Sequence, residues 1–290
     1  MIKHSLIASA LALASLGAQA ETLYALTTDN QLITLDSAAP TMGSAVSITG
    51  LGASERLLGL DLRPSNGLLY SISSAGKLYT LGTDGQASFV ATLSTPITGS
   101  VGFDFNPVAD LNGAVSLRVL TAGGSNYAVN ANTGTVATQT AVTASGSTAK
   151  LALTGAAYAD NDADLATTAV KLYAIDTASN GLYFTGGPGG GVYSRVRDLG
   201  ASSLSVFGFD ISRSGAAFAG FTSADGYSGL YALGLAADGQ TTYIGDFGIH
   251  GNTAIAPVVG LTAAVPEPTS VALMLAGLGL MGLLMRRRQA

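Results

Sequence analysis

The sequence predicts an all-β chain built from five copies of a four-stranded antiparallel unit, and three observations carry that prediction. The first is a phrase of two apolar-alternating segments nine residues apart: Leu23-Tyr24-Ala25-Leu26 with Leu32-Ile33-Thr34-Leu35, and Leu69-Tyr70-Ser71-Ile72 with Leu78-Tyr79-Thr80-Leu81. Looser copies begin at Arg118, Leu172 and Ala217, so the starts 23, 69, 118, 172 and 217 lie 46, 49, 54 and 45 residues apart. The second is an intervening phrase: Gly59-Leu60-Asp61-Leu62, Gly102-Phe103-Asp104-Phe105, Gly155-Ala156-Ala157-Tyr158, Gly208-Phe209-Asp210-Ile211 and finally Gly260-Leu261-Thr262-Ala263, the last without its Asp. The third is that Leu23 opens in the second strand of a unit while Val258 to Ala263 repeats a first strand, so the two ends complete one another.

Each phrase alternates apolar and polar residues with the period of a half-buried strand. Asn66-Gly67, Asp84-Gly85, Asn180-Gly181 and Asp238-Gly239 supply the positive φ angles of tight hairpins. Four-stranded units recurring every 40 to 55 residues are the pattern of a β-propeller, here of five blades closed by the C-terminal strand. That closure removes every open sheet edge. A β-solenoid competes, but its repeats are shorter and predict no complementarity of the ends. In the longest unit, Val142 to Ala149 reads as loop.

Composition narrows the function. Charged residues make up 11% of the 290 residues, where roughly 25% is usual. The net charge of -5 provides no basic field for nucleic acid. With no Cys, disulfide scaffolds, thiolate metal sites and thiol catalysis are excluded. Gly at 38 of 290 residues disfavours helices and suits tight turns.

Both ends read as targeting segments. Lys3 and His4 precede the apolar run Ser5 to Leu16, and Ala18-Gln19-Ala20 offers a cleavage site, so residues 1–20 form a signal peptide and the mature chain starts at Glu21. The alternative, a retained membrane helix, would need a longer run. At the other end come Val265, Pro266, Glu267 and Pro268, then the apolar run Thr269 to Met285, then Arg286, Arg287 and Arg288. The prolines end the preceding fold, the run is long enough for a thin membrane, and the arginines hold the tail in the cytoplasm. Residues 21–264 form the body, where 9 Lys+Arg against 17 Asp+Glu give a net charge near -8.

Residues 265–290, with Pro266-Glu267-Pro268, an Ala/Gly/Leu-rich span and terminal arginines in that order, resemble the PEP-CTERM sorting signal of Gram-negative, exopolysaccharide-producing bacteria. The resemblance implies an exosortase-type processing enzyme as partner, transient inner-membrane anchoring through the C-terminal helix, and delivery to the envelope, outer surface or extracellular matrix. An ordinary single-pass anchor is the alternative. The body carries a second resemblance: Leu23 to Asn30, Gly59 to Pro64, Gly102 to Pro107 with Arg118 nearby, and Leu172 to Thr177 look like the bacterial domain of unknown function 4394. That family implies a propeller-like fold and no active residues.

Few residues point to chemistry. Once His4 leaves with the signal, His250 is the remaining histidine, and no Gly-x-Ser-x-Gly elbow is present, which disfavours serine and metal hydrolases. Glycoside hydrolysis needs two carboxylates, and Asp61, Asp104 and Asp210 converge on the propeller axis if their phrase is the innermost strand, with Glu55 as candidate acid. The competing reading is structural: a repeated Asp bonds backbone N–H groups at a turn or in the next blade. Asp160, Asp162 and Asp164 match the first third of a calcium loop, but Leu165 and Lys171 stand where its Gly and Glu belong. Apart from Ca²⁺ there, no cofactor is expected. Gly186 to Gly191 is a hairpin connection, and Tyr24, Tyr70, Tyr79, Tyr173, Tyr183 and Tyr231 pack between blades.

The expectation is therefore an exported, acidic propeller with a non-enzymatic binding or structural role, associated with exopolysaccharide. The alternative is a polysaccharide-cleaving propeller using the axial aspartates. No catalytic residue is assigned.

Overall fold

The computed structural model describes residues 20–159, 169–200, 205–223, 227–249 and 253–264, with backbone only at 205–207. Its strands form five sheets. The first blade runs from Val258–Ala263 at the inside through Thr22–Thr27 and Gln31–Asp36 to Ala39–Ser47, with Gly248–Ile249 and Thr253–Ala254 added at its outer edge. Blades two and three are Asp61–Leu62, Leu69–Ile72, Lys77–Leu81, Ala87–Thr92 and Val101–Phe105, Leu117–Thr121, Asn126–Val129, Val136–Thr138. The fourth comprises Leu153–Tyr158, Leu172–Asp176, Gly181–Thr185 and Val192–Asp198, and the fifth Ser205–Ile211, Ala217–Thr222, Ser228–Leu233 and Thr241–Asp246.

The count of five blades and the closure expected from the ends are both present. Leu23 pairs with Ala263 and Tyr24 with Thr262, so the N-terminal strand lies beside the last one. The stretched unit is explained by Thr143–Ala144, which adds a fifth, parallel strand to the outer edge of blade four; the rest of 142–149 is loop or turn. In blades two, four and five the pairing of the third strand with the fourth shifts register at the Leu-Tyr step, at Leu78/Tyr79, Leu182/Tyr183 and Leu230/Tyr231. Such bulges increase local twist, which turns each blade edge away from its neighbour.

The core consists of apolar clusters between adjacent blades. One unites Tyr70, Ile72 and Leu78 of blade two with Phe103, Phe105 and Val119 of blade three. The six repeating tyrosines sit in or against these clusters, as expected. The turn chemistry departs from expectation in part. Gly67 and Gly85 have φ of 68° and 86°, but at Asn180-Gly181 the Asn takes the left-handed angle, 52°, and neither Asp238 nor Gly239 does. Gly239 is needed for close approach instead, since a Cβ there would lie 2.5 Å from the Gly234 carbonyl oxygen.

At one end of the axis the innermost strands almost touch. A Cβ on Gly102 would meet that of Ala156 at 2.9 Å, and one on Gly260 would meet the Leu60 nitrogen at 2.6 Å. Gly59 and Gly208 are as tightly placed, at 2.7 Å from Phe103 Cβ and 2.6 Å from Leu261 N, so four of the five inner phrases need their glycine for the strands to pack this closely, and this end encloses only about 10 Å³. Among the described residues no helix is long and apolar enough to cross a membrane. Residues 1–19, Asp160, Asp162, Asp164, His250 and 265–290 lie outside the described residues, so the signal peptide with Ala18, the calcium loop and the sorting motif are not placed.

Candidate functional site

Two residues beyond each axial glycine stands the position occupied by Asp61, Asp104, Ala157, Asp210 and Thr262 in blades two, three, four, five and one. Strand periodicity turns both positions to the axis. All three aspartates are buried, and one carboxylate oxygen from each lies within 4.8 Å of the others. Thr262, which breaks the Asp repeat, joins them: its Oγ1 is 2.9 Å from Asp61 Oδ1 and 3.0 Å from Asp210 Oδ2.

The residue following each of these positions turns a backbone N–H toward the ring, and three carboxylates accept all five. Asp61 takes Leu62 N at 2.7 Å and, across the junction, Phe105 N at 2.7 Å. Asp104 takes Tyr158 N of blade four at 3.1 Å. Asp210 takes Ile211 N at 2.7 Å and Ala263 N of blade one at 2.6 Å. The two blades that follow an Ala or a Thr rather than an Asp use their own carboxylate for the local amide. Buried amides must be paired, so this arrangement explains why an Asp can be absent from two of five blades.

Proton counting adds a constraint. Thr262 has one hydroxyl hydrogen and two carboxylate oxygens at bonding distance, so it can donate to only one of them. The other contact is satisfied when its carboxyl group is protonated and donates to Thr262 Oγ1. Burial agrees with this. Desolvation first, then the Asp210 charge, pushes the Asp61 carboxyl well above the usual range. Asp104 is raised well above it by burial, then by Asp61 and Asp210, and burial also raises Asp210 against the bonds from Ala263 and Thr262.

The mouth above Asp61, Asp210 and Thr262 is a cavity of about 40 Å³, room for roughly one water. Arg213 and Ala264 line both this mouth and a larger cleft of about 970 Å³ between blades five and one. The cleft floor includes Ala217, Phe218, Leu233 and Ile244, and its rim includes Glu21, Arg213, Gln240 and Thr242. Glu21 spans the seam. Its side chain accepts from Ser212 Oγ at 3.0 Å and Ser214 Oγ at 2.5 Å.

The fold brings Asp61, Asp104 and Asp210 together, and it adds Thr262, Arg213 and the cleft, which the sequence did not single out. The Thr stood in plain register with the aspartates; the cleft arises from packing between distant segments and leaves no local signal. Glu55 is not with the aspartates and does not suit the role of acid. It is buried in blade two, where Ser73 Oγ, Lys77 Nζ at 3.2 Å, Tyr79 OH and Gly52 N all donate to it. Burial acts to raise its pKa, but the bonds from Ser73, the Gly52 amide, Lys77 and Tyr79 outweigh it and hold the carboxyl below the ordinary range. A general acid needs the opposite shift. Gly186 to Gly191 is the expected hairpin link, with a single 3₁₀ turn at Pro188–Gly190.

Residues 31–261 match the family described as Domain of unknown function (DUF4394), and residues 264–289 match the PEP-CTERM protein-sorting motif. No curated protein matches the chain. Among solved structures, a protein of unknown function from Bacteroides thetaiotaomicron is similar at TM-score 0.50 and 12% identity over 83% of this chain, which spans 62% of that protein's length. One from Bacteroides caccae aligns at TM-score 0.46 and 8% identity, covering 83% of this chain and 85% of its own. The Dos1 propeller aligns at 0.37 and 12%, covering 74% and 58%. At these identities the first likeness concerns the fold alone, and the other two are too distant to carry an argument.

Proposed function

Because the chain belongs to the DUF4394 family and ends in a PEP-CTERM sorting motif, which implies export and exosortase processing, we propose that its body works in the cell envelope or extracellular matrix as a non-enzymatic binding or structural module associated with exopolysaccharide. One observation carries the non-enzymatic part: the three axial carboxylates are buried and engaged by five backbone amides, and the cavity over Asp61 and Asp210 measures only about 40 Å³. A carboxylate held by the amides that join two blades is a poor candidate for moving protons on a sugar.

The competing reading, a polysaccharide-cleaving propeller, draws on the spacing. Carboxylates within 4.8 Å resemble the roughly 5 Å pair of a retaining glycosidase. Co-sedimentation of the purified exported body with exopolysaccharide from the producing strain, with polymer size followed, separates the two. Saturable binding with unchanged polymer supports a binding module. Polymer shortening that is lost in Asp61→Asn or Asp104→Asn while the fold is retained would establish the enzyme. Stable folding with neither binding nor shortening would leave a purely structural surface protein. Repeating the binding with Ca²⁺ and with a chelator tests the Asp160, Asp162 and Asp164 loop.

A further inference from the structure

The described body begins and ends at one place. Ala20 and Ala264 both line the seam cleft, Ala264 N donates to Thr22 O at 2.8 Å, and Glu21 N donates to Ser37 Oγ at 2.9 Å. This is the axial end that carries the aspartates, because inner strands run from glycine to aspartate and Ala264 directly follows the last of them. The opposite face carries the Pro96 to Ser100 and Ala122 to Ser125 loops, beside the starts of the inner strands.

Four residues, Val265 to Pro268, separate Ala264 from the apolar run that starts at Thr269. At full extension four residues span at most about 14 Å, shorter than the roughly 20 Å that a six-residue inner strand such as Val258–Ala263 covers between the two axial faces. A body anchored through that run can therefore present only one face to the bilayer. We propose that the seam cleft and the axial mouth form the membrane-proximal face of the tethered precursor, and that removal of the C-terminal segment exposes them to large partners. The face with the Ala122 loop points away from the membrane before and after processing. This rests on the reading that residues 269–285 anchor the precursor.

The absence of cysteine makes the test direct. Ala38 and Ala122 are both exposed, Ala38 in the cleft and Ala122 on the opposite face. Full-length chains carrying Ala38→Cys or Ala122→Cys are made in a host lacking the processing enzyme, and spheroplasts are treated with a maleimide bearing a bulky polyethylene glycol. The expected result is labelling at position 122 and loss of labelling at 38. A Gly/Ser spacer of about 30 residues placed after Pro268, with a reach of roughly 30 Å, should restore labelling at 38. Equal labelling of the two short-tether variants, in chains that stay in the membrane pellet after an alkaline wash, would overturn the proposal. Failure of the chain to pellet would overturn the anchor reading, and the proposal with it.

Discussion

The junction between blades two and three and the junction between blades five and one share an inner link but differ outside it. In both, an axial aspartate accepts an amide of the next blade, Asp61 from Phe105 and Asp210 from Ala263. Outside that link the first is filled. Arg63 Nε bonds Asp110 Oδ1 at 2.8 Å, its guanidinium carbon lies 5.7 Å from the ring centroids of Tyr70 and Phe105, and Ser65 N and Ser116 Oγ complete the Asp110 shell. The second is open, a cleft of about 970 Å³ bridged by Glu21. After the inner strand of blade three, Asn106 caps the helix Pro107–Leu111, which carries Asp110 over to Arg63. Ring closure therefore needs the axial link at both junctions, while the outer filling is free to differ.

The filled junction is the more sensitive of the two. Asp110→Ala leaves the buried Arg63 guanidinium without its carboxylate, with Asn132 Oδ1 as its remaining side-chain acceptor, and should cost about 3 kcal/mol of unfolding free energy, measured by urea denaturation. Next comes the axis. Asp61→Ala strips the acceptor from two amides and should cost about 2 kcal/mol or more, whereas Asp61→Asn keeps one acceptor oxygen for amides that bond different oxygens of Asp61, so it should cost less, about 1 kcal/mol.

The pH dependence sharpens the same contrast. The axial carboxyls are raised in the fold, so their contribution is fully present below the pKa of a free carboxyl and is lost as pH rises through the folded value. Glu55 and Asp110 are lowered; their contribution is present above the free value and fades as pH falls through the folded one. Wild-type stability should therefore decline as pH rises from the free-carboxyl value through the raised folded value, by up to about 1.4 kcal/mol per pH unit for one proton, and level off above it. Asp61→Asn should flatten that slope, and an unchanged slope in the variant would show that the proton does not sit on Asp61. The smallest effect belongs to the open seam. Glu21→Gln keeps an acceptor for the two serines at a half-buried site and should change stability by less than about 1 kcal/mol.

Much of the architecture was legible because a repeat repeats its contacts. The Gly-x-Asp phrase fixed the inner strands, their convergence and the pairing of the chain ends. What escaped the sequence was whatever depends on a partner far along the chain. Arg63 and Asp110 are 47 residues apart, and neither residue is unusual alone. Thr262 looked like a lost Asp and proves to be the hydroxyl between two of them. Glu55 invited a catalytic role because nothing local revealed the Ser73, Lys77 and Tyr79 that hold it. Asp238-Gly239 lies in the hairpin its motif suggests, yet it uses no positive φ, and its Gly serves a close approach to Gly234.

The pairing of Leu23 with Ala263 has a consequence for how the protein is made. Blade one cannot assemble until residues 258–263 have emerged, and contacts between positions so distant in sequence form late because the loop must first be closed. During synthesis and passage through a secretion channel the ring thus remains unclosed, and its final strand arrives just ahead of the sorting signal.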